Sequence, residues 1–213
     1  MAEDLWVVGD PQGWLPLLQR VLRENRLVDT EGSWSAGAAT LVVVGDLVDR
    51  GPDGLGVIDL LMRLQTQAPR HGGRVVVLVG NHDILLLAAR RFGEPFMANW
   101  LESGGLESDL EGLGDAHVAW LTDLPAMVVE DGTLLMHADA MFYLDYGRSV
   151  ADINAAFRQV LAGDDAEAWL RLLDHFTEHR AFLDPYGEAN LDRYLQIFGA
   201  DRLIHGHTPV PRM

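Results

Sequence analysis

Three times within its first 81 residues the chain runs through a short aliphatic stretch, a glycine and then a carboxylate or amide: LWVVGD (5–10), LVVVGD (41–46) and VVVLVGN (75–81). Each is followed by leucines at helical spacing, as at Leu15, Leu18 and Leu22. The pattern therefore predicts strands at 4–9, 41–46 and 74–80, and helices at 13–23, 56–65 and 84–92. Strands that are apolar throughout, rather than at every second position, imply a parallel sheet covered on both faces. With 213 residues, 48% of them hydrophobic, the chain is long enough to bury one sizeable core.

Beyond this alternation, 29–39 reads as a Gly/Ser-rich loop and 93–125 as helical and loop-rich, broken at Gly104-Gly105. AMVVEDGTLLMH (126–137) reads as a hairpin turning at Asp131-Gly132. Two or three helices are expected over 150–199, and a strand and turn over 202–209. No repeat or domain linker stands out. The fold expected is α/β, one domain over 1–213, with layered β-sheet flanked by helices and helical insertions near 93–125 and 150–199.

The chemistry lies where the strands end. The first ends GDPQG, with Asp10 and Gln12. The second ends GDLVDRG, with Asp46, Asp49 and Arg50. The third ends GNHD, with Asn81, His82 and Asp83. The hairpin ends at His137 and the last strand at HGHT, with His205 and His207. Taken singly, each is an ordinary turn. Taken in order, they would converge on the carboxyl edge of one sheet, where open α/β sheets gather ligands. Asp10, Gln12, Asp46, Asn81, His137 and His207 are then a set of carboxylates, amide oxygens and imidazoles suited to two adjacent divalent cations sharing one carboxylate. The sequence has no cysteine, so thiolate ligands and disulfides are excluded. Asp49 lies too far along its turn to share the metal role of Asp46, so orienting His82 is its expected task. A histidine beside a carboxylate can stay protonated near neutral pH and protonate a leaving alkoxide. His71, His117 and His175 are expected to be ordinary core or solvated histidines.

The ordered series GDxxG, GDxxDRG, GNHD, H, GHTP resembles the calcineurin-like metallophosphoesterase superfamily. More narrowly it is similar to the bacterial and phage serine/threonine phosphoprotein phosphatases, from Gly9 to about Val210. The resemblance implies a dinuclear phosphoesterase. One metal would be held by Asp10 and Gln12, the other by Asn81, His137 and His207, with Asp46 bridging. Arg50, Asn81 and Arg180 (in EHRAF) would hold the phosphate. His82, oriented by Asp49, would be the general acid. The implied reaction is metal-dependent hydrolysis of a phosphomonoester, with a phosphorylated protein or a small phosphoester or nucleotide as substrate.

Two departures qualify that resemblance. Gln12 stands where the family's GDxHG has histidine, and an amide oxygen favours Mn²⁺ or Mg²⁺ over Fe or Zn at a loose first site. Gln at this position, and GNHD followed by ILLLA, also resemble the symmetrical diadenosine tetraphosphate hydrolases, though those usually carry Asn at the place of Asp49. NWLESGG, DLP and LLMHAD look more like the phage-type phosphatases. The chain also stops at Met213, four residues past Pro209, so C-terminal strands usual in relatives are expected to be missing. A metal- or phospholigand-binding relative without catalysis is a third possibility.

Smaller expectations complete the picture. His205, two residues before His207, would share its strand face, and a donor, a pocket residue or an outward-facing histidine are all open for it. Asp139 is either an acid supporting the site or a turn residue. Trp100, Phe142 and Tyr143 are expected in the core, with stacking on a ligand as the alternative. A formal charge of −16 argues against nucleic acid and anionic membrane as partners. No run approaches the roughly 20 apolar residues of a membrane span, and the acidic N-terminus does not read as a signal peptide. The expected location is the cytoplasm.

Overall fold

A computed structural model describes residues 4–183 and 185–208. The three aliphatic runs form β1 (Leu5–Val8), β2 (Thr40–Val43) and β3 (Arg74–Val77), a parallel sheet in the order β1-β2-β3. Their register pairs Val8 with Val43 and Val43 with Val77, so all three strands end level. Both faces are buried, as the unbroken apolar runs imply, and alternate residues go to different cores. Leu41 and Val43 join the large cluster under the helices. Val42, Val44, Val76 and Leu78 meet Leu135 in a second, smaller one.

That second core refines the sequence picture. It lies against a second sheet rather than against helices. The hairpin is present as β4 (Met127–Glu130) and β5 (Thr133–Met136), turning through left-handed Asp131 and Gly132. β6 (Arg202–His205) then pairs parallel to β5 after some 65 intervening residues, in the order β4-β5-β6. β5 is buried at all four positions because it is the central strand.

The helices are α1 (Leu15–Glu24), α2 (Gly54–Gln67) and α3 (Asn81–Phe92), then α4 (Phe96–Glu102), α5 (Glu107–Gly112) and α6 (Asp115–Asp123), and finally α7 (Val150–Ala162), α8 (Ala166–His175) and α9 (Gly187–Phe198). Asp53 caps α2 by accepting the Gly56 N–H. α3 starts three residues earlier than its apolar pattern suggests, so Asn81, His82 and Asp83 form its first turn rather than a loop. Trp100, Phe157 and Trp169, from the two helical segments, belong to the same buried cluster as Leu41 and Val43. Phe142 and Tyr143 are stacked and buried there too, so core packing is their use. No helix among the described residues is long and apolar enough to cross a membrane. The expectation of missing C-terminal strands concerns residues beyond 208, outside the described ones.

Candidate active site

Because the strands of the parallel sheet end level, the segments after β1, β2 and β3 leave side by side. The Gln12 N–H donates to the Asp46 carbonyl at 2.8 Å and the Gly13 N–H to the Leu47 carbonyl at 2.8 Å, which sews the first loop to the second. Asp83 sews the second to the third. Fully buried on the first turn of α3, its carboxylate accepts the N–H groups of Gly80 (2.8 Å), Asp46 (3.0 Å) and Leu47 (2.9 Å). Burial and the neighbouring Asp46 push this carboxyl up to about 7, while the backbone donors pull the other way. The sequence quotes Asp83 within GNHD without a role for it; an acid at the third position of a helix is the local signal that was there to use.

His137 comes from the end of β5 and His207 from just past β6. A carboxylate oxygen of Asp46 and one ring nitrogen each of His137 and His207 all lie within 4.8 Å of one another. The His137 Nδ1–H donates to the Val44 carbonyl at 2.7 Å, which turns Nε2 toward Asp46 Oδ1 at 3.3 Å and Asn81 Oδ1 at 3.0 Å. His207 Nδ1 lies 2.8 Å from the same Asn81 oxygen. Burial, then the neighbouring His137, hold the His207 imidazole down to about 4, so it is neutral at pH 7. Burial works against the charge on Asp46, but His137 and His82 outweigh it and its carboxyl lies below the usual range.

Asp10 completes this side. Its Oδ2 accepts the His207 N–H at 2.8 Å, while Oδ1 is buried without a hydrogen-bond partner, 4.0 Å from His137 Nδ1. Burial pushes the Asp10 carboxyl upward, against the pull of His137. A buried carboxylate oxygen left unpaired beside a second carboxylate and two imidazoles is a donor set that a divalent cation completes. The residues therefore fit metal. The Gln12 Oε1 accepts from Arg50 Nη1 at 3.1 Å.

On the other flank His82 Nδ1 lies 2.6 Å from Asp49 Oδ2, and both residues are buried. Burial opposes a charge on the imidazole, yet the bond to Asp49 and the negative charges of Asp46 and Asp49 together outweigh it, and the His82 pKa is raised. Arg50, exposed, reaches His82 Nε2 at 3.0 Å. The other Asp49 oxygen accepts the Trp100 indole N–H at 2.8 Å, a contact across 51 residues that the sequence does not reveal.

Arg180 is exposed, and its backbone N–H donates to Asp139 Oδ2 at 2.9 Å. The other Asp139 oxygen accepts the Thr208 hydroxyl. Asp139 is thus a buried tie between the Arg180 loop and the loop of His207, not a solvated turn acid. His205 does not share a face with His207: β6 ends at His205, the chain turns through left-handed His207, and His205 Nδ1 stays 2.9 Å from the Gly206 carbonyl. His117 pairs with Asp59 and His175 lies by Tyr146, as ordinary histidines do.

Eight non-glycine residues among the described ones have positive φ. Six are Gln12, Asp46, Asp49, Arg50, Arg180 and His207. Backbone of this kind gathers at functional sites, where the surroundings over-determine it.

Comparisons agree with this geometry. A serine/threonine-protein phosphatase 1 of Salmonella typhimurium is 38% identical over 47% of this chain and 38% of its own length. A symmetrical bis(5'-nucleosyl)-tetraphosphatase of Bordetella pertussis is 28% identical over 79% of this chain and 59% of its own. The chain therefore spans well under two thirds of these curated relatives. The crystal structure of a cold-active protein-tyrosine phosphatase of a psychrophilic Shewanella species superposes with a TM-score of 0.76, covering 100% of this chain and 70% of its own at 24% identity, which is a likeness of fold. The calcineurin-like phosphoesterase profile matches residues 4–211, and the chain belongs to that family.

Proposed function

We propose that the protein is a metal-dependent phosphomonoesterase acting on phosphoserine or phosphothreonine in proteins. The observation that carries this is the unpartnered buried oxygen of Asp10 next to the Asp46–His137–His207 cluster, whose Asp46 accepts the backbone N–H of His82 in the His82–Asp49 pair. Asp10 and Gln12 would hold one cation, Asn81, His137 and His207 the other, and Asp46 both. Two such ions lower the pKa of water and draw charge from the phosphoryl oxygens. Mn²⁺ is the proposed metal, because the donors are mostly oxygen. The proposed place of action is the cytoplasm.

The residues of the chain do the rest. Arg50, Asn81 and Arg180 grip the phosphate, the arginines through charge-assisted bonds. As the oxygen of a water that has given up a proton bonds to phosphorus, the phosphorus–oxygen bond to the leaving group breaks, and its electron pair goes to the leaving oxygen, which takes the proton from His82 Nε2. Asp49 holds the ring through Nδ1. A protonated His82 and Arg50 cannot both donate across their 3.0 Å contact. Arg50 therefore moves onto the phosphate when the ring is charged.

A second reading is hydrolysis of dinucleoside polyphosphates. It is favoured by the tetraphosphatase relative, which aligns with more of the chain than the phosphatase does, 79% against 47%. Incubation of Mn²⁺-loaded protein with a phosphopeptide and with diadenosine tetraphosphate decides between them by which is cleaved. If neither these nor an aryl phosphate is hydrolysed, with Mg²⁺ and Zn²⁺ also tried, the protein is a metal- or phospholigand-binding relative and the proposal fails.

A further inference from the structure

Asp49 and Arg50 are consecutive left-handed residues, with φ of 70° and 61°. Something outside their own turn must hold them there, and beside their bonds to His82 and Gln12 two further contacts come from one segment. The Trp100 indole donates to Asp49 Oδ1 at 2.8 Å. The Gly104 carbonyl accepts the Arg50 N–H at 2.9 Å. Trp100 is on α4 and Gly104 lies two residues beyond its end. The link between them is tight, since the Gly105 N–H donates to the Trp100 carbonyl at 3.0 Å and a Cβ on Gly105 would collide with the indole. Trp100 is fully buried, so the indole has little freedom to turn.

We infer that the segment Trp100–Gly105 is a bracket that positions the Asp49–His82 pair and Arg50, with Trp100 as a positioning residue for proton delivery. Asp49 offers two oxygens. His82 occupies one, and the indole fixes the rotation of the carboxylate by occupying the other. A carboxylate free to rotate would let the imidazole swing and blur the aim of Nε2. Burial makes this control strong, because neither group has water to replace a lost partner. The inference rests on the proposed acid role of His82.

The test replaces Trp100 by β-(3-benzothienyl)alanine, which keeps the shape of the indole and puts sulfur in place of its N–H; Trp100→Phe is the genetic counterpart. Phenyl phosphate needs a proton on its leaving group, whereas 2,4-dinitrophenyl phosphate does not. With Mn²⁺-loaded protein, kcat on phenyl phosphate is expected to fall roughly tenfold, the effect of one lost hydrogen bond to a charged group. On dinitrophenyl phosphate it should hold, with metal content unchanged. A structural defect would lower both substrates together, and that outcome overturns the inference, as does no loss on either. His82→Ala runs in parallel. If it shows the leaving-group dependence and the Trp100 replacement does not, the bracket alone is refuted. If both are flat, the acid assignment is refuted first. A readout independent of turnover is the proton NMR signal of His82 Nδ1–H, which should shift or broaden in the replaced protein; an unmoved signal refutes the bracket.

Discussion

The two flanks of the site are built on opposite principles. On the acid flank each polar atom has its partner: Asp49 gives one oxygen to His82 and the other to Trp100. On the cation flank Asp10 keeps a buried oxygen with no partner, and two imidazole nitrogens approach a single Asn81 oxygen. The first flank is finished by the fold alone. The second is finished only by what it binds. On the proposed roles, folding fixes the proton-delivery geometry without help, while the proposed ligand cluster carries a deficit that an added cation would offset.

The largest expected effect attacks the unfinished flank. Asp46→Asn should strip at least one ion per chain, read by elemental analysis after gel filtration; a fully loaded, active variant would contradict the bridging role. Next, His82→Ala attacks the finished flank and should lower turnover on a phosphopeptide by roughly 10²–10⁴-fold with metal content intact. If metal is lost as well, the flanks are not separable. A third test compares the two carboxylates in metal-free protein by urea unfolding. Asp83→Ala leaves three buried N–H groups unpaired and should destabilise by about 3–5 kcal/mol. Asp10→Ala leaves one N–H without its acceptor, that of His207, and otherwise removes an oxygen that already lacks a partner, so it should change stability less. Equal losses would erase the distinction.

The smallest effect is a pH slope. Folded His207 titrates near 4, against the ordinary 6.5 of the unfolded chain. Between those values the unfolded chain holds the extra proton, so the contribution is complete above pH 6.5 and is lost as pH falls toward 4. The stability difference between metal-free wild type and His207→Gln should shrink over that window. A flat difference would mean that His207 is not buried as a neutral ring.

How much of this was legible in the sequence follows from how far each constraint reaches along the chain. β1, β2 and β3 were legible because aliphatic runs and the helical leucines after them are local signals. That the residues proposed as ligands would lie together was legible because each follows a strand end, and level strand ends bring such residues together. Trp100 was not, since its bond to Asp49 depends on how α4 packs. Nor was the parallel pairing of β6 with β5, which many topologies would permit. The start of α3 was missed because apolar periodicity begins at Ile84, whereas its first turn is spent on Asn81, His82 and Asp83. His205 was misjudged because alternation was carried past the end of β6.

The left-handed backbone at Arg50 and Arg180 sets stability against function. Each such residue costs about 1 kcal/mol that glycine largely avoids, and both arginines are exposed, so their side chains contribute little to packing. Laboratory evolution toward heat resistance alone would be drawn to glycine at both positions. On the proposed phosphate-binding role of these arginines, the survivors would be sturdier proteins with no hold on phosphate, so any thermostabilised library of this fold needs a catalytic screen at every round.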